Sequence, residues 1–153
     1  MTANSKSKER VRGGEVFTPA TTVFEMILLP DLRDVISDID KTILDPAAGQ
    51  GQFPCTELFL KMFFNLDKLN DENCLRILKS IYGIELRKDN LNECHLHMLE
   101  TFRKSYEYLT NKPCPIELFI KAGLIIKHNI IQGDALKIMQ EWTDKKSVQP
   151  TLF

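Results

Sequence analysis

Ile43-Leu44-Asp45-Pro46-Ala47-Ala48-Gly49-Gln50-Gly51 is the stretch whose reading decides the fold. An apolar run breaks into Asp-Pro, two small residues and Gly-x-Gly, and a segment with helical spacing follows. A strand that ends in a tight loop wrapping a nucleotide-like ligand has this form. Glycine reaches positive φ without penalty and lets the backbone approach a ligand, while the free N–H groups of the next helix face a negative group. Read alone, the same residues also fit a plain strand-to-helix turn. The surrounding pattern has to separate the two.

Working outward, Val23, Phe24, Met26, Ile27 and Leu28 give a broad apolar face, and a helix starting after Pro19 and stopping at Pro30 fits them. Residues 31–41 mix acids and aliphatics and read as a loop or short helix, and 42–44 as the first buried strand. Pro54 suits the first turn of the helix that follows, where its missing N–H leaves nothing unpaired. Leu58, Phe59, Met62 and Phe63 continue that helix, and residues 71–79 form another. Ile81 to Leu86 is a second strand. From Lys88 to Leu109 the apolar positions keep a 3.6 repeat, predicting a long helix that Asn111-Lys112-Pro113-Cys114-Pro115 ends. A short helix over 116–126, a third strand over 128–132 and a last helix over 135–142 complete the pattern. Strands alternating with helices predict an α/β domain, a doubly wound parallel sheet with helices on both faces and its ligand at the carboxyl ends of the strands.

The chain has 153 residues, one domain's worth. We expect a polar, basic arm over 1–14, a single domain over 15–143 and a tail over 144–153. The arm carries Lys6, Lys8, Arg10 and Arg12, suited to phosphate contacts or to simple solvation. A formal net charge of −1 supplies no global field for nucleic acid. Cys55, Cys74, Cys94 and Cys114 are too scattered for a Cys-x-x-Cys site, so reduced thiols in a cytoplasmic protein are expected. No apolar run is long enough for a membrane span. Cys94-His95-Leu96-His97 places two histidines two apart on a helix, where they share no face, so no metal site is expected. Phe59, Phe63 and Phe64 read as core.

The loop has company. Gly14-Glu15-Val16-Phe17-Thr18-Pro19 precedes it, and Ile81-Tyr82-Gly83-Ile84-Glu85-Leu86 and Ile130-Ile131-Gln132-Gly133-Asp134-Ala135-Leu136 follow. In kind and order these motifs resemble the S-adenosylmethionine (SAM) binding half of an amino-methylating DNA methyltransferase, the N6-adenine kind whose cofactor motifs precede the catalytic one. The likeness runs from Gly14 to Leu136. It implies the Rossmann-like SAM-dependent methyltransferase fold, here with a truncated sheet, and SAM as cofactor. By the same resemblance, Thr18 and Pro19 reach the methionine carboxylate, and Asp45 faces the ammonium. Ala47, Gly49 and Gly51 wrap the methionine portion, and Phe17 and Phe53 flank the pocket. Glu85, with Leu86 beside it, takes the ribose hydroxyls. Asp134 accepts from the adenine amine, with Ala135 and Leu136 against the ring. Each has a plainer reading: Thr-Pro as a helix start, Asp134 as a helix cap, the two phenylalanines as core. Glu85 lies farther from the glycines than the roughly 20 positions of the dinucleotide fingerprint, and Pro54 stands where that fingerprint has its third glycine, so NAD is disfavoured.

The family's next motif, Asn-Pro-Pro-Tyr/Phe or Asp-Pro-Pro-Tyr, does not occur in this sequence. Val148-Gln149-Pro150-Thr151-Leu152-Phe153 is a partial echo, with an amide, a proline and an aromatic. The implied activity, methyl transfer from SAM to adenine in DNA, therefore calls for a catalytic loop and a DNA-reading region from a partner subunit or a second copy of the chain. Such a chain is a short form of a restriction-modification or phage-type enzyme. Two alternatives stay open: a non-catalytic SAM-sequestering or anti-restriction-like accessory protein, and a methyltransferase for another substrate.

Overall fold

The computed structural model describes residues 18–146; the expected basic arm, Phe17 and the Gln149-Pro150 echo lie outside the described residues. Seven α-helices and three strands follow in the order α1 (Ala20–Ile27), α2 (Pro30–Ile36), β1 (Ile43–Asp45), α3 (Gln52–Phe64), α4 (Asp71–Lys79), β2 (Ile81–Glu85), α5 (Lys88–Thr110), α6 (Ile116–Asn129), β3 (Ile130–Gln132) and α7 (Ala135–Lys146), with a 3-10 turn at Leu66–Lys68. The strands form one parallel open sheet in the order β1-β2-β3. The chain is therefore a mixed α/β protein with a small sheet, and among the described residues β1 and β3 each keep an unpaired edge.

Register decides which way the side chains point. Ile43 aligns with Ile81 and Asp45 with Gly83, while Gly83 aligns with Ile130 and Glu85 with Gln132. Side chains alternate along a strand, so Ile43, Asp45, Ile81, Glu85 and Ile130 share one face and Leu44, Tyr82, Ile84 and Ile131 the other. The first face meets the helices. One core joins Ile81 and Ile130 to Leu58 and Met62 of α3, Ile77 and Leu78 of α4, Met98 and Phe102 of α5, and Ala122 and Ile126 of α6. A second cluster, Val23, Ile27, Ile36 and Leu60, packs α1 and α2 against α3 and reaches Ile43.

The helices of the two crossovers thus crowd one face of the sheet. Two crossovers of the same hand, stepping the same way across the sheet, put their helices on the same side. On the opposite side α7 reaches the sheet at one end: Ile138 and Ile84 both lie against Gly133.

Boundaries differ from the expected ones where side chains anchor backbone. The helix expected to stop at 126 runs to Asn129, and the third strand shortens to three residues. Asn129 is buried and its Nδ2 donates to the carbonyls of Lys79 and Ile81, tying the end of α6 to the start of β2. Residues 31–41 resolve into helix α2 with Pro30 in its first turn, followed by a loop. The last helix continues beyond Trp142 through the first three positions of the expected tail.

Candidate functional site

At the carboxyl ends of the three strands lies a cavity of about 530 Å³, a volume typical of small-molecule sites. Its shape begins with Asp45. Oδ1 accepts from the amide of Ala47 at 2.9 Å, folding the chain back in an Asx turn as soon as β1 ends. Gly49 and Gly51 then take φ of 55° and 97°, and α3 starts at Gln52. These are backbone angles that a side chain resists.

The loop is fastened to β2 at two points. Ala48 N donates to Ile84 O at 3.0 Å, and Gly49 N donates to Glu85 Oε2 at 2.7 Å. The other carboxylate oxygen of Glu85 accepts from Arg87 N at 2.9 Å, and its carbonyl accepts from Gly133 N at 3.0 Å. Glu85 thus knits together the ends of all three strands while lining the cavity. Beneath the loop, Gly83 supplies room: a Cβ there would stand 3.1 Å from Ala48 Cβ and 3.1 Å from Ile130 Cδ1. On the third strand's side, Asp134 Oδ1 accepts from Leu136 N at 3.1 Å and more loosely from Lys137 N, capping α7. Its capping and cavity-lining positions coexist.

Of the residues singled out in the sequence, Thr18, Asp45, Ala47, Gly49, Phe53, Glu85, Leu86, Asp134, Ala135 and Leu136 line this one cavity. Gly51 instead turns toward a neighbouring cavity beside His97, and Pro19 is the residue before α1. The cavity wall also includes Pro46, Ala48, Gln52, Asn90 and Gly133, which the motifs bracket but did not single out. Asn90 is the least legible of these. It comes from the first turn of α5, a helix read in the sequence only for its apolar repeat.

The electrostatics are one-sided. Asp45, Glu85 and Asp134 face the cavity, and no Lys, Arg or His among the described residues lines it. Asp45 Oδ2 is buried without a hydrogen-bond partner. Burial raises the Asp45 carboxyl above its ordinary value, the Ala47 amide opposes this, and the Glu85 charge adds to the rise. A second buried carboxylate stands behind the cavity wall. Glu57, one helical turn beyond Phe53, is 3% exposed, and its Oε2 also has no partner. Burial and the Asp45 charge push it up to about 8, against a smaller pull from Lys61. Lys61 is completely buried, donates to the carbonyls of Asp38 and Lys41 at 2.7 Å each, and is pushed down to about 8 by its own burial.

Neither thiols nor histidines offer a competing chemistry. Burial lifts Cys55 to about 11 and Cys94 to about 12, which keeps both protonated. His95 Nε2 meets Ile130 O and His97 Nδ1 meets Gln50 O, on separate partners, and no cluster of three or more metal-ligating side chains occurs among the described residues. None of the described helices is long and apolar enough to cross a membrane. No family model, no curated protein and no solved structure matches the chain.

Proposed function

We propose that this chain is the cofactor-binding half of an N6-adenine DNA methyltransferase-like protein, with the doubly wound SAM-dependent methyltransferase architecture, of which the described residues hold three strands, and that its cavity holds SAM. The observation that carries the reading is three carboxylates and, among the described residues, no lining cation around one cavity at the strand ends. Phosphates would meet like charge there, which argues against dinucleotides and nucleoside triphosphates. A ligand with positive charge, a diol and an exocyclic amine answers the same groups.

The residues fit such a molecule. Asp45 lines the cavity and offers its negative charge to the ammonium. Gly49 and Gly51 let the backbone pass close to the methionine portion. The Glu85 oxygens each engage one amide and retain lone pairs for ribose hydroxyls. Asp134, its backbone already ordered by the cap, is available to an amine. When bound, SAM supplies a methyl group on a sulfonium. Orienting the acceptor amine is a separate task, for a catalytic loop that the described residues do not include.

Titration calorimetry with SAM, S-adenosylhomocysteine, NAD and ATP tests the site. SAM binding in the micromolar range, with no heat from NAD or ATP, is expected. Binding of the phosphate-bearing ligands instead would sink the assignment. Methyl transfer to unmethylated DNA, tried with and without a partner chain carrying the catalytic tetrapeptide, then separates an enzyme part from a SAM-sequestering protein.

A further inference from the structure

Asp45 Oδ2 and Glu57 Oε2 are both buried without a hydrogen-bond partner, an arrangement that ordinarily costs stability. Alternation along β1 turns the Asp45 side chain onto the face that α3 covers, and on α3 the cavity-lining Phe53 and the buried Glu57 lie one turn apart on a common side. Asp45 is therefore at the cavity wall with Glu57 behind it. We propose that Glu57 is the hidden counter-charge of the cavity, a specificity-determining residue that releases its proton to solvent when a cationic ligand settles against Asp45. This deepens the SAM reading and rests on it.

Burial and the Asp45 charge both hold Glu57 protonated near neutral pH. A positive group brought against Asp45 in the cavity offsets the repulsion that Asp45 exerts and so favours the ionised form of Glu57. The proton balance is simple: one proton leaves Glu57 for the buffer, and the ligand's fixed charge takes its place. The bound state then has two carboxylates facing a cation where the free state has one carboxylate and one acid, so the ligand charge is read twice. A neutral analogue gains only the ordinary contacts.

The other groups around Glu57 set the controls. Lys61 lies one turn further along α3, held by the Asp38 and Lys41 carbonyls, and Glu85 stands beyond Asp45 on β2. From α5 come the protonated Cys94 and, at the rim of the neighbouring cavity, His97, Glu100 and Lys104. The single charged residue of α1, Glu25, is exposed, as are Asp31, Arg33 and Asp34 of α2. His97 stands close by on α5, so the test is a difference between two proteins and not a single pH profile.

The experiment is SAM titration of the whole chain at pH 7 in two buffers of different ionisation enthalpy, for the unmodified protein and for Glu57→Gln. Gln keeps the size of Glu and removes the buried acid, so folding is expected to survive, and circular dichroism checks it. The unmodified chain is expected to release a fraction of a proton per SAM, with affinity rising from pH 6 to pH 8, and Glu57→Gln to release less and lose most of that rise. Equal proton release in the two proteins, or none in either, overturns the role of Glu57 and leaves the SAM site standing. Absence of any SAM binding by the unmodified chain overturns both.

Discussion

Gly49 N donates to Glu85 Oε2 at 2.7 Å, joining the loop after β1 to the last residue of β2 across 36 positions of sequence. Glu85 is 7% exposed, and its second oxygen holds Arg87 N. One carboxylate therefore fixes the shape of the glycine loop and lines the cavity at once, so function and local stability are not separable at this residue.

Replacing Glu85 by Ala strands two amides that the carboxylate now satisfies. A loss of about 2 kcal/mol in urea unfolding is expected, together with at least a tenfold weaker SAM affinity. Glu85→Gln keeps one good acceptor but turns an NH2 group toward one of the two amides, so it should fall between Ala and the unmodified chain on both measures. A Gln variant as stable as the unmodified chain would show that only one of the two hydrogen bonds matters.

The glycines give a graded series. Gly83→Ala forces a Cβ to within 3.1 Å of both Ala48 and Ile130 and should cost about 1–3 kcal/mol. Gly51→Ala sets a side chain at φ 97° against Cys94 Sγ, at a cost of about 1–2 kcal/mol, and should disturb the loop. Gly123, inside α6, has nothing nearer than Leu99 at 3.8 Å, so Gly123→Ala should stabilise by about 0.5–1 kcal/mol. Thermal melts of the three variants check the order, and a destabilised Gly123→Ala would contradict the open space seen there.

The strand ends were legible because their signals are local: an acid at or just past the end of each strand, a proline, and glycines where the backbone turns. Asp45, Glu85 and Asp134 needed only the inference that parallel strands end on the same side. Glu57 and Lys61 were not legible. On a helix of ordinary amphipathic spacing a charged residue reads as solvated, and the contact that holds Lys61 inside, to the carbonyls of the Asp38–Lys41 turn, is one no periodicity records. The crowding of the crossover helices on one face was hidden for a similar reason, since alternation of strands and helices is the same whether successive crossovers step one way or reverse.

That buried pair gives the stability of the chain an unusual pH dependence, whose sign follows from each group in turn. Glu57 is raised from an ordinary 4.5 to about 8 in the fold, so its stabilising contribution is complete below 4.5 and is lost as pH rises through 8. Lys61 is lowered from 10.5 to about 8, so its contribution is complete above 10.5 and is lost as pH falls through 8. The two limbs meet, and the contribution of this pair passes through a minimum near pH 8. Urea unfolding from pH 5 to pH 10 should show stability falling and then recovering. Glu57→Gln should remove the descending limb and be the more stable protein at pH 8, because an amide needs no ionisation to leave water. Lys61→Met should flatten the ascending limb, but at a net loss, because the carbonyls of Asp38 and Lys41 lose their donor. If Glu57→Gln keeps the full slope between pH 5 and 8, the acid responsible lies elsewhere and Glu57 is ionised in the fold.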